Sequence, residues 1–280
     1  MTVTIDEGVD RDQVISRYMS FAKVMDLLTN EKAFLPSVDA LKGDLQGDHL
    51  EGAFPSLVEF VLSGGAAKLS HLVNQVLPRT LGVNKSEIPK LPSPAPLPTV
   101  FGEIEITGDR DLSSICKTLA CWVDVQCWHR NDAESMAMWK IYGGAEPSLA
   151  IRSTVRNLSN SMLPNGNERV HLKNIQYYNS LEPADFFVDD FSSVASKEIA
   201  YDYEHELRVI AYTPSDKQHL HQDRQAKGRY ISVNLEELIS DIVISPNAPN
   251  WFFDLARTLI IEKLDVPVKR SALTPNRGQF

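Results

Sequence analysis

The segment YEHELRVIAY, Tyr203 to Tyr212, decides how this chain is read. Val209, Ile210, Ala211 and Tyr212 form an apolar run without glycine or proline, which predicts a strand over Glu206–Tyr212. In extended chain alternate side chains share a face, so Glu204, Glu206 and Arg208 fall on one side. Burying such charges unpaired is costly. Two uses stay open at this point: a solvated ion-pair ladder, or the lining of a polar pocket.

Working outward, strand signals come in series at Leu149–Thr154, Val170–Tyr178, Tyr230–Asn234 and Asp241–Ser245. Few helices intervene between them. The expectation is an α+β fold, a mixed or mostly antiparallel sheet flanked by helices. Upstream, residues 122–128 read as a buried strand, and Lys32–Pro36 as a short one. Helices are expected after Ser20, over Leu112–Ala120, from Asn131 to Gly143 and Gly144, briefly from Glu236, and after Asn250. Asn131 with Glu134 three residues on has the form of a capping box. The helix it opens sets Ser135, Met138, Trp139 and Tyr142 on one face.

The chain is read as one domain over residues 1–280. Residues 54–100 form a candidate helical insertion followed by a connector. Pro89, Pro92, Pro94, Pro96 and Pro98 are expected to keep that connector out of regular structure. The first dozen residues are polar and expected to be mobile, as is the polar stretch Asp216–Arg229.

A formal net charge of -9 and the lack of a basic run argue against extended nucleic-acid binding. Cys116, Cys121 and Cys127 lack metal-binding spacing and are read as buried thiols in a reducing, cytoplasmic setting. No apolar run is long enough for a membrane helix, so no membrane partner is expected. There is no Gly-x-Ser-x-Gly elbow, Walker loop or Gly-x-Gly-x-x-Gly turn.

Several segments together resemble a family. CWHRNDAESMAMWKIY (Cys127 to Tyr142), the pair Arg17 and Tyr18, GDHLEG (Gly47 to Gly52), LAIRSTV (Leu149 to Val155), KEIAYDYEHELR (Lys197 to Arg208) and ISPNAPNW (Ile244 to Trp251) occur in this order. They are similar to the family of bacterial and phage proteins of unknown function numbered twenty-nine seventy-one among such domains. Ser148 stands where members more often carry glycine. The resemblance implies settings that suggest phage defence and assigns no activity.

The pair Glu204 and Glu206 also resembles the Glu-x-Glu of mono-ADP-ribosyltransferases. Ser153 and Thr154 are similar to their strand motif, although Val155 replaces its last serine. Arg17, His129 or Arg130 would stand for their first-strand residue. That likeness implies a nucleotide- or NAD-handling enzyme. Glu206 would be its catalytic carboxylate, assisted by Glu204, stabilising an oxocarbenium-like ribose. Arg17 and Arg152 would contact phosphate, and Trp139 and Tyr142 would form a ring-binding wall. Tyr18, His129, Glu134, Ser135, Ser153, Lys197 and Arg208 complete the candidate ligand-binding set, with NAD as the candidate cofactor and a small nucleotide-like molecule as the partner. Two alternatives are carried: a non-catalytic ligand- or protein-binding module, and a metal-dependent hydrolase built on Asp48 and Glu51.

Overall fold

The computed structural model describes residues 3–41, 95–106, 112–143, 147–179 and 189–273. Residues 54–94 of the expected insertion and connector, and the acidic loop with Asp44, Asp48 and Glu51, lie outside the described residues, as do Gly144 and the C-terminal residues 274–280.

The strands in chain order are β1 (Val3–Ile5), β2 (Val14–Ser20), β3 (Lys32–Pro36), β4 (Ala95–Leu97), β5 (Ile104–Ile106), β6 (Asp124–Arg130), β7 (Ser148–Thr154) and β8 (Met162–Leu163). They continue as β9 (Arg169–Asn174), β10 (Gln176–Tyr178), β11 (Ser196–Glu198), β12 (Glu206–Tyr212), β13 (Gly228–Val233), β14 (Asp241–Ile244) and β15 (Val268–Arg270). The α-helices are α1 (Phe21–Asn30), α2 (Val38–Leu41), α3 (Leu112–Trp122), α4 (Met136–Tyr142), α5 (Val155–Ser161), α6 (Leu235–Leu238) and α7 (Asn250–Ile261).

An eight-stranded sheet in the order β1-β9-β12-β6-β2-β7-β14-β15 organises the molecule. Its two outermost pairs, β1 with β9 and β14 with β15, are parallel. All inner pairs are antiparallel. The fold is therefore α+β with a mixed, mostly antiparallel sheet. A smaller sheet, β3-β13-β8, stands beside it. At the β3–β13 pairing Gly228 lies opposite Pro36, where a Cβ would sit 2.3 Å from the Leu35 carbonyl oxygen. Only glycine fits there.

All seven residues of β12 are buried, and its two faces serve different layers. Leu207, Val209 and Ala211 enter the large core with Ile15, Met19, Trp128, Ile151 and α7 residues Phe252, Ala256 and Ile260. Ile210 and Tyr212 join a second cluster with Phe101, Leu119, Val123 and Val125. Glu206 and Arg208 share that second face, so the segment quoted first is a core strand and not a solvated ladder.

Three expectations about order are corrected. The N-terminal residues hold β1 at the sheet edge, paired with β9. Pro96 lies inside β4, which pairs with β5; an edge position spares its missing N–H. The polar stretch 216–229 is tied to the sheet: Arg224 Nη1 donates to both carboxylate oxygens of the fully buried Asp124 at 2.7 Å, and Arg229 meets the same carboxylate. No helix among the described residues is long and apolar enough to cross a membrane.

Candidate functional site

The site arises where the large sheet splits. β2 and β6 pair at only two positions, Ile15 with Arg130 and Ser16 with His129. Beyond them the strands diverge, and at the far end Ser37 bridges to Asp124 instead. Between these points β2 and β6 leave a gap, which opens into a cavity of about 580 Å³. Tyr18, Cys127 and His129 line it from one face of the sheet, and Arg17, Met19 and Trp128 from the other. Alternate residues of a strand point to opposite faces, so the cavity passes through the plane of the sheet. Ala22, Lys23, Asp26 and Leu27 of α1, Phe34 of β3 and Tyr230 of β13 surround its outer part. The rings of Phe34 and Tyr230 stand 5.0 Å apart at the rim, 40% and 53% exposed.

One side of the cavity is a closed network of charges. Glu204 is not in the strand, as alternation predicts. It ends a 3-10 turn, Ile199–Glu204, and His205 follows in the left-handed region at φ 40°. That reversal still delivers both acids to one cation. Lys197 Nζ of β11 lies 2.7 Å from Glu204 Oε2 and 2.9 Å from Glu206 Oε2. Arg208 grips Glu206 with Nε at 2.7 Å and Nη2 at 3.2 Å, and its Nη1 donates to the Val194 carbonyl at 2.7 Å. Tyr142 Oη donates to Glu204 Oε1 at 2.6 Å. All four charged residues are at most 5% exposed. Burial pushes the Glu206 carboxyl up, but Arg208 and Lys197 outweigh it and hold it at about 2. Burial also opposes the Lys197 charge, and Glu206 more than restores it. Two cations meet two anions with their hydrogen bonds made, the condition under which buried charge is tolerated.

The other side is open. Arg17, half-buried in the cavity wall, makes no side-chain hydrogen bond or ion pair among the described residues. Burial lowers its guanidinium to about 10, which leaves it charged at neutral pH but poorly solvated. His129, 3% exposed, places Nδ1 2.5 Å from the Glu204 carbonyl oxygen. A carbonyl only accepts, so Nδ1 carries the proton. Nε2 is then a lone pair, and it has no hydrogen-bond partner among the described residues. Burial lowers the His129 pKa, favouring this neutral form.

The remaining candidate residues have structural work. Trp139 does not form a wall of the cavity. It packs edge-on against Tyr18 at 4.7 Å, and its Nε1 donates to Glu134 Oε2 at 3.0 Å. Glu134 is not a helix cap: Ser271 Oγ and the Ala272 N–H also donate to it, fastening the segment after β15. Ser135 caps α4, accepting from the Met138 N–H, and its own N–H donates to Tyr18 Oη at 3.0 Å. Asn131 caps only a turn, through the Ala133 N–H. From α4 it is Met138 and Tyr142 that reach the cavity. Arg152 donates to the Asp132 carbonyl away from it. Ser153 Oγ donates to the Leu238 carbonyl at 2.5 Å, and Thr154 caps α5, so the two residues similar to the transferase strand motif are spoken for by the fold. Among the described residues no group of three or more His, Cys, Asp or Glu is placed to hold a metal ion.

The cavity thus gathers Arg17, Tyr18, His129, Tyr142, Lys197, Glu204 and Glu206, and leaves out Glu134, Ser135, Trp139, Arg152, Ser153 and Arg208. Sequence reasoning missed the rim residues Lys23, Lys32, Phe34 and Tyr230. The signal was faint: an exposed aromatic on each of two short strands.

What fold and site define is a class, an α+β protein with a cavity threaded through a split sheet and cations at its mouth. Comparison of the chain with family models, curated proteins and solved structures gives no match.

Proposed function

We propose that the cavity binds a small phosphate-bearing ligand of the nucleotide class, NAD included, with Arg17 as its anion contact. The observation that carries this reading is the state of Arg17. A cation partly withdrawn from water and without a protein partner is unfavourable, and an anion accepting two parallel N–H bonds is a partner a guanidinium fits. Lys23 and Lys32, both exposed, add positive charge at the mouth, opposed there by Asp26. Phe34 and Tyr230 offer ring faces to a base. A volume of about 580 Å³ falls in the range of small-molecule pockets.

Transfer chemistry at Glu206 has one observation in its favour: both acids border the cavity. Against it, Glu206 is held at both oxygens by Arg208 and Lys197. A carboxylate so neutralised has little charge left to offer a developing cation. The order of the family-like segments supports placing the chain in family twenty-nine seventy-one, which assigns no chemistry against the binding reading.

Calorimetric titration with AMP, ADP-ribose, NAD and adenosine tests the proposal. The phosphate-bearing molecules are expected to bind, with adenosine weaker by roughly ten- to hundredfold, the worth of a charge-assisted hydrogen bond. Arg17→Ala should remove that difference. Nicotinamide release from NAD that disappears in a folded Glu206→Gln variant would establish transfer instead.

A further inference from the structure

We infer that the parted strands β2 and β6 form a slot that reads the edge of a planar ring, with the backbone of Tyr18 and Cys127 supplying its donors and acceptors. The inference rests on the binding reading above and names how that site selects its base.

Hydrogen bonds on either side of the gap fix the direction of these backbone groups. In an antiparallel pair, residues alternate between exchanging both their bonds and turning both groups away. The Val155 N–H donates to the Gln13 carbonyl at 3.2 Å, and the Ser240 N–H to the Arg152 carbonyl at 2.9 Å. Val14–Thr154 and Ser16–Arg152 are therefore pairs that turn away, and Tyr18–Ala150 follows in the same phase. The N–H and C=O of Tyr18 point from β7 toward β6. On the other strand, the Arg130 N–H donates to the His205 carbonyl and the Ile175 N–H to the Glu206 carbonyl, both at 3.0 Å. Glu206–His129 and, one alternation on, Arg208–Cys127 also turn away. The N–H and C=O of Cys127 point from β12 toward β2.

Ser16 pairs with His129, so continued pairing would set Tyr18 opposite Cys127. The pairing stops before that step. Among the described residues neither backbone has a hydrogen-bond partner on that side. Consecutive residues of both strands, Ser16 to Met19 and Val125 to His129, line the cavity. Side chains from both faces border it, so the strand edges between them border it too. Tyr18 is 7% exposed. Backbone groups withheld from water in this way need partners.

The group that fits is a flat edge with a donor beside an acceptor. Adenine presents its 6-amino group beside N7, and the carboxamide of nicotinamide presents N–H beside C=O. Stacking on Phe34 and Tyr230 tolerates any base, because every base has a π-face. Discrimination between bases falls to the slot. An apolar ring there would leave its backbone groups unpaired, which is unfavourable.

Amide hydrogen exchange of the full chain, read residue by residue by NMR, tests the slot without a substitution. In the free protein the Tyr18 and Cys127 amides should exchange at least about tenfold faster than the paired amides of Ser16 and His129. Saturating AMP should slow at least one of the two by about tenfold. In calorimetry, purine riboside 5′-monophosphate, which lacks the 6-amino donor, should bind about tenfold more weakly than AMP. Slow exchange at Tyr18 and Cys127 in the free protein would mean that the strand pair is closed, and overturns the inference. AMP binding that protects neither amide, or equal affinity for the two nucleotides, overturns it and leaves the nucleotide reading standing. Failure to bind AMP at all overturns the nucleotide reading and the inference with it.

Discussion

The two sides of the cavity contain similar residue types in opposite states. On one, Lys197, Arg208, Glu204 and Glu206 satisfy one another within hydrogen-bond distance. On the other, Arg17 has nothing to satisfy it among the described residues. The contrast teaches that a charged motif in a buried strand does not announce chemistry. The paired acids, the more conspicuous feature of the sequence, are consumed in holding the fold. The open valence belongs to an arginine at the place where two strands part.

The comparison breaks first at the closed side. Lys197→Met leaves two buried carboxylates facing each other, and removing one member of such a network costs about 3–5 kcal/mol. Urea unfolding should show that loss; a change under about 1 kcal/mol would mean the network does not hold the fold. Acid titration examines the same side. Glu206 is held at about 2, below its ordinary 4.5, so its contribution is complete above pH 4.5 and fades as pH falls through 2. The shift corresponds to roughly 3 kcal/mol. Unfolding free energy measured from pH 6 to pH 2 should fall accordingly, and Glu206→Gln should flatten the limb between pH 4.5 and 2.

The open side should behave oppositely. Arg17→Ala removes a cation that stabilises nothing in the described fold, so its unfolding free energy should stay within about 0.5 kcal/mol of the parent. Its affinity for AMP should nevertheless fall by roughly tenfold or more. A large stability loss in Arg17→Ala would show that this side is structural too. A purely structural effect is expected at Ser153→Ala, which removes the hydroxyl donor to the Leu238 carbonyl. It should cost about 1–2 kcal/mol in thermal or urea unfolding and leave AMP binding unchanged.

Much of the fold was legible in the sequence because its signals are local. Glu206–Tyr212 and Lys32–Pro36 match the observed strands residue for residue, since apolar runs bounded by polar turns set their limits. β2 was missed. VISRYMS mixes serines and an arginine into a strand buried on both faces, so neither alternation nor an apolar run betrays it. The pairing of Glu204 with Glu206 was anticipated for the wrong reason: a left-handed residue and a lysine on another strand bring the acids together, not the strand pleat. Trp139 looked like a ring wall because helical spacing identifies a face but not what the face meets. The unpaired Nε2 of His129 was out of reach, because an unpaired atom is defined by everything that does not approach it.

A crystal structure of the protein saturated with AMP measures the contrast directly. The account predicts the phosphate on the Arg17 guanidinium, with Lys197 still 2.7 Å from Glu204 and 2.9 Å from Glu206. A phosphate bound away from Arg17, or a Glu206 carboxylate released from Arg208 to meet the sugar, would contradict it.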